Sequence, residues 1–239
     1  MKNNFYPDSF YAARTANTSA SSQIVLDIVI DYLKDYKIDS VSDIGCGTGA
    51  WLEYFQSINS NIDVTGYEGF WLPLKFQEYL TNKGVSLKLI DFADKNSYAF
   101  PIQATSLVIC LEVYEHIMPC FQPLFVDQFL INSDVVLFSC APPYQGGNGH
   151  VGETSLSAIV DMFRSKGFSA HDIIRPIIWN NALIPYWYRQ NTILFIRGGT
   201  DNLPGPLDLI HPDSFKQRAK PSFSQAIYHL SGRLKGYFT

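Results

Sequence analysis

Within the heptapeptide LEVYEHI, residues 111–117, two glutamates and a histidine fall inside five positions, directly after the apolar run SLVIC. Glu112, Glu115 and His116 are spaced i, i+3 and i+4, so a helix beginning near Val113 would turn all three to one side. A further imidazole, His150, follows in the glycine-rich stretch APPYQGGNGHV. Two carboxylates and two imidazoles suit three different uses. Glu112, Glu115, His116 and His150 can hold a divalent ion, and on softness grounds imidazole ligands favour manganese or zinc over magnesium. They can instead move protons: imidazole titrates near working pH, which makes His150 or His116 the expected general base, with Glu115 beside them as the third catalytic candidate. The third use is structural, because glutamates in a first helical turn suit the helix dipole.

Any of these uses requires elements that bring the groups together. Ile24, Val25, Ile28, Val29, Tyr32 and Leu33 have helical spacing, which predicts a helix from about Ser19 to Tyr36 with serines to cap it. Strand-like VSDIG, the turn GCGTG and a helix through AWLEYFQSI come next. NIDVTGYEG and VSLKLIDF read as the second and third strands, separated by FWLPLKFQEYL, which shows no clear periodicity. TSLVICL is the fourth strand, followed by a helix through FVDQFLI, and DVVLFSC is the fifth. A helix over residues 155–166 precedes two late strands, near AHDIIRPII and NTILFIR, joined by a long aromatic hairpin. Strands alternating with helices predict an α/β fold: a doubly wound, Rossmann-like, seven-stranded sheet, mostly parallel, with a final antiparallel strand. Residues 1–197 form this domain, with its N-terminal helix. Residues 198–239 are a glycine- and proline-rich linker and a C-terminal helical extension, with Phe223, Ile227, Leu230 and Leu234 on one face.

The turn SDIGCGTGA sets Gly45, Gly47 and Gly49 in alternation. Glycines there let the backbone approach a ligand and adopt positive φ, and the helix that follows offers free N–H groups. Glu68 ends the second strand, where a carboxylate can accept from both hydroxyls of a ribose. Asp91 ends the third, within reach of an adenine amino group. In this order, the three sites resemble the cofactor site of class I S-adenosylmethionine-dependent methyltransferases, Val41 to Gly49 matching the first motif with Asp43 as its acidic member. The resemblance implies a cofactor set of Asp43, Gly45, Cys46, Gly47, Gly49, Glu68, Asp91, Phe92 and Glu112. CLEVYEHI, LFSCAPPYQGGNGHV and RPIIWNNALIPYWYRQN extend the likeness to a bacterial subgroup often linked to surface-glycan biosynthesis. Its QGGxxHxNE stands here as QGGNGHVGE, with Gly152 in place of the asparagine. E-x-x-E-H also resembles the magnesium site of ubiquinone-biosynthesis O-methyltransferases and, with a later histidine, the metal site of small-RNA 2′-O-methyltransferases. The implied activity is methyl transfer to a hydroxyl of a small molecule, sugar or glycan intermediate, with Mg2+ or Mn2+ assistance. The alternatives are N-methylation of a small metabolite and a non-catalytic partner that keeps the fold.

For the acceptor, the sequence offers Tyr144 and Gln145 in the loop after the fifth strand, then Trp179, Trp187, Tyr188 and Arg189 around the aromatic hairpin. Arg189 faces either an acidic substrate or a structural carboxylate. A net charge of −4 argues against nucleic acid as a partner, even though the segment from Arg197 onward carries +3 and the remainder −7. The four cysteines form no CxxC pair, MKNNFYPDSF lacks a signal-peptide core, and aspartates interrupt QIVLDIVIDYL. The expectation is a reduced, cytoplasmic protein without a spanning segment, able to self-associate through its C-terminal helix.

Overall fold

The computed structural model describes residues 8–99 and 102–218. Helix α1 (Asp8–Tyr32) begins earlier than its apolar spacing predicts and leads to β1 (Ser40–Ile44), α2 (Ala50–Ile58) and β2 (Asp63–Glu68). The segment without periodicity forms α3 (Leu74–Asn82), started by Pro73 and followed by β3 (Ser86–Leu89). Then come β4 (Leu107–Leu111), α4 (Gln122–Phe125) continued by one π turn over Val126–Leu130, and β5 (Val135–Ser139). Helix α5 (Leu156–Ser165) starts at Ser155, whose hydroxyl accepts from the Ala158 N–H, a cap worth about 1 kcal/mol.

The late strand β6 (Phe168–His171) covers only the beginning of the segment expected to be extended. The rest turns into α6 (Arg175–Ile178), with Pro176 in its first turn, and the aromatic run forms α7 (Tyr186–Asn191) rather than a hairpin. Proline at a helix start keeps its fixed φ and loses no ladder hydrogen bond. β7 (Ile193–Arg197) and α8 (Pro212–Arg218) complete the described elements. Residues 219–239, including the amphipathic Phe223–Leu234 stripe, lie outside the described residues.

The sheet order is β3-β2-β1-β4-β5-β7-β6, parallel from β3 to β5, with β7 antiparallel to both of its neighbours. The chain winds outward from β1 to β3, then resumes at β4 on the other side of β1. That reversal opens a crevice at the carboxyl ends of β1 and β4. Both central strands β4 and β5 are buried along their whole length, as strands covered on two faces must be. Their alternate residues feed two separate cores. Leu107, Ile109, Leu111, Val135 and Leu137 pack with α1, α2 and α6; Val108, Cys110, Val136 and Phe138 pack with the α4 region and α5. Phe163 of α5 stacks on Phe195 of β7 at 3.9 Å between ring centres.

The glycine- and proline-rich stretch after β7 is fastened to the sheet edge. Arg175, 2% exposed, pairs with Asp172 and donates to the carbonyls of Gln190, Pro206 and Leu207. A buried guanidinium needs acceptors in every direction, and the backbone of this stretch supplies two of them. Among the described residues no helix is long and apolar enough to cross a membrane.

Candidate active site

A cavity of about 490 Å3 lies over the crevice. Its first wall is the glycine turn. Gly45 has φ 77°, and a Cβ there would come within 2.4 Å of a Val113 methyl; Gly49, φ 84°, would meet Leu80 at 2.2 Å. Larger residues are therefore shut out by both backbone conformation and space. The Gly45 and Cys46 N–H groups donate to the Tyr67 carbonyl, tying the turn to β2. Glu68 completes the tie, its two oxygens accepting from Gly47 N at 2.7 Å and Gly69 N at 2.8 Å. Burial raises the Glu68 carboxyl above its usual range, with these two N–H donors pulling the other way. Asp43, behind the turn, is buried with Oδ2 unpartnered, and burial followed by the nearby Glu68 charge pushes its carboxyl well up.

Asp43, Gly45, Cys46, Gly47 and Glu68 all line the cavity, as do Asp91 and Phe92 beyond β3. Gly49 instead caps α2. Asp91 Oδ1 accepts from Ala93 N, which turns the chain after β3.

The opposite wall is the segment after β4. Glu112 sits at φ 56°, in the left-handed region that favours glycine. It is held there by its N–H, shared between the carbonyl and the hydroxyl of Ser139, and by its carboxylate, which accepts from Asn191 Nδ2 at 3.1 Å and Gln145 Nε2 at 3.4 Å. Burial raises the Glu112 carboxyl, and these amide donors oppose the shift. The expected helix from Val113 is a single 3-10 turn, Tyr114–His116. Pro119 explains the difference: it has no N–H to give the Glu115 carbonyl and keeps Met118 out of helical backbone. That carbonyl accepts instead from Val151 and Gly152, both at 2.9 Å, which pins the loop after β5 against the site.

Glu115 is 0% exposed, and neither of its carboxylate oxygens has a hydrogen-bond partner. Burial, then the facing Glu112 charge, drive its carboxyl well above the usual range. His150 Nε2 stands 3.9 Å from Glu115 Oε1, and the His150 and His116 rings meet edge to face with centres 4.9 Å apart. Glu115, His116 and His150 each bring one ligating atom to within 4.8 Å of the others. Glu112 stands outside this cluster, engaged by its amide partners.

Of the acceptor residues, Gln145, Trp187 and Tyr188 line the cavity. Three do not. Arg189 turns away, pairing with Asp213 at 2.7 Å and donating to the Trp179 carbonyl, because α8 supplies the structural carboxylate. Trp179 packs on His211, and Tyr144 stands 88% exposed at the rim. Sequence reasoning missed Thr18 of α1, Trp71, Pro185 and Tyr186 as lining residues, and Asn191 and Glu153 as supports. The amide and the acid stand in WYRQN and QGGNGHVGE; Asn191 was hidden by a partner 79 residues away, and Glu153, three residues from His150, by an irregular loop that no periodicity describes. Among the described residues, no lysine or arginine lines the cavity.

No protein-family model matches the chain, and no curated protein does. Solved structures share its fold. An O-methyltransferase family protein from Burkholderia thailandensis superposes with a TM-score of 0.59 at 10% identity, covering 80% of this chain and 59% of its own. Magnesium protoporphyrin IX methyltransferase from Synechocystis PCC 6803, with bound SAH, gives 0.53 at 16% identity over 75% of this chain and 84% of its own. Human N-acetylserotonin methyltransferase in complex with SAM gives 0.53 at 13% identity, over 80% and 55%. The chain thus spans about three fifths of the Burkholderia protein's length. At such identities the likeness is one of fold: a Rossmann-like methyltransferase fold, with the cavity at the end of the sheet where its crevice opens.

Proposed function

We propose that the chain is an S-adenosylmethionine-dependent methyltransferase acting on a hydroxyl of a small molecule, sugar or glycan intermediate. One observation carries this reading: a single cavity joins a glycine turn closed by Glu68 to the Glu115–His116–His150 cluster. S-adenosylmethionine, when bound, supplies an electrophilic methyl carbon on a cationic sulfur. The chain's own groups suit such a cation. Each Glu68 oxygen keeps acceptor capacity after its bond to the turn, enough for the two hydroxyls of a ribose. The unpartnered Asp43 oxygen offers a charge to the ammonium end, and a nearby cation reverses the cost of keeping that carboxylate buried. At the other end, Trp187, Tyr188 and Gln145 receive the acceptor, and His150 Nε2 takes the proton that leaves its hydroxyl.

A divalent ion is the alternative use of the cluster, with His150 as a ligand instead of the base. The buried, unpartnered oxygens of Glu115 and the two imidazoles fit a borderline metal such as manganese or zinc, and Glu115, His116 and His150 would hold it. There it would lower the pKa of an acceptor hydroxyl.

Calorimetry with S-adenosylmethionine and S-adenosylhomocysteine is the direct test. Saturable heat is expected for both, with weaker affinity in Glu68→Ala; no heat in the native chain ends the proposal. Release of S-adenosylhomocysteine with hydroxylated acceptors, before and after exhaustive chelation, then separates the two uses of the cluster. Loss on chelation, restored by manganese or zinc, supports the ion, and full retention assigns His150 as an unassisted base.

A further inference from the structure

The loop from Ala141 to Thr154 carries a group that the methyl-transfer reading leaves unused. One carboxylate, Glu153, faces three donors. Its Oε2 accepts from Tyr144 N at 2.7 Å, and its Oε1 accepts from Gly146 N and stands 3.1 Å from His150 Nδ1. The two backbone N–H groups can only donate, so the Glu153 oxygens act as acceptors, and the ring nitrogen beside them must bring the hydrogen.

We propose that Glu153 is a positioning residue: it holds His150 in the tautomer protonated at Nδ1, so that the Nε2 lone pair faces Glu115 across the cavity. The ring has little freedom besides this. The Gly147 backbone lies against it, so closely that a Cβ there would come 2.1 Å from Nε2, and the His116 ring closes another side. The same carboxylate accounts for the loop's strained point. Tyr144 has φ 69° with its ring 88% exposed, so no side-chain packing holds that backbone; its N–H bond to Glu153 does. Glu153 therefore ties the start of the loop, its middle and its functional imidazole through one group. A carboxylate behind a working histidine fixes both ring orientation and tautomer, and losing such a partner typically costs about 10- to 100-fold in activity.

The proposal rests on the methyl-transfer reading only for its kinetic consequence. The structural arm uses the full chain labelled with 15N-histidine, without ligand, in long-range proton–nitrogen spectra, with His150→Gln to identify the signals. The neutral His150 ring should show a protonated Nδ1 and a bare Nε2. In Glu153→Leu, which fills similar space and offers no acceptor, the proton should redistribute toward Nε2. The kinetic arm expects kcat about 10- to 100-fold lower in that variant, with KM for S-adenosylmethionine unchanged. A native ring protonated at Nε2 overturns the proposal without any variant, and so does a folded Glu153→Leu chain with unaltered tautomer and rate. A native chain that methylates no acceptor, yet shows the Glu153-dependent tautomer, upholds the positioning role and counts against methyl transfer.

Discussion

Glu68 and Glu115 both stand near the carboxyl end of a sheet strand, and burial raises the carboxyl of each. Their surroundings differ. Glu68 ends β2 with both oxygens satisfied by the N–H groups of Gly47 and Gly69, and so completes the turn that it lines. Glu115 stands buried at the cavity wall with neither oxygen in a well-formed hydrogen bond, next to Glu112 on strained backbone. Fully paired polar groups hold a shape, whereas an unpaired buried carboxylate destabilises the chain until a cation or donor arrives. On the β2 side the chain pairs the Glu68 carboxylate itself, leaving only the Asp43 oxygen behind the turn unpartnered. The β4 side holds a carboxylate for which the chain supplies no such pairing.

The sharpest way to break that contrast is to remove the β4-side groups. Glu115→Ala and His150→Ala should each cost more than about 1000-fold in turnover while calorimetric affinity for S-adenosylmethionine stays near native. Equal loss of affinity would mean that the two sides are not separable. Glu68→Ala should do the reverse, lowering cofactor affinity by about 10- to 100-fold and destabilising the chain by about 1–3 kcal/mol in urea melts, because the Gly47 and Gly69 donors lose their acceptor.

A pH series sharpens the comparison. Glu115 holds its proton more tightly in the folded chain than its ordinary value of 4.5 allows, so the native state binds more protons above that pH. Its contribution to stability therefore falls as pH rises from about 4.5 through the raised value. Glu115→Gln keeps the shape and removes the titration, so its Tm should decline less than the native Tm between pH 5 and pH 8. Parallel declines would show that Glu115 titrates normally. The smallest effect on activity is expected at Arg189. Since its buried guanidinium faces Asp213 rather than the cavity, Arg189→Lys should leave acceptor KM within about twofold and show its cost in stability instead, about 1–3 kcal/mol.

Local patterns carried much of this in the chain itself. Continuous apolar runs mark β4 and β5, and glycines at 45, 47 and 49 mark a turn of positive φ. Acids at the ends of β1 and β2 mark the glycine-turn side of the cavity. The helices α3, α6 and α7 were hidden because their apolar faces are short and prolines stand at their starts, and a proline reads equally as a break or as a first turn. LEVYEHI was legible as chemistry but not as geometry. Pro119 denies it a helix, and the strained backbone of Glu112 turns that carboxylate to Asn191, far along the chain, instead of to the histidines.

What the sequence determined alone is whatever depends on neighbours in the chain: periodicity, turn chemistry and the donor types after each strand. Folding decided which of those polar groups are satisfied. Arg189 is absorbed by Asp213, Glu112 by two amides, and His150 is aimed by Glu153, while Glu115 is left buried without a partner. Pairing of a polar atom depends on which atoms lie within about 3 Å of it, and for most of these groups the deciding atoms come from elements distant along the chain.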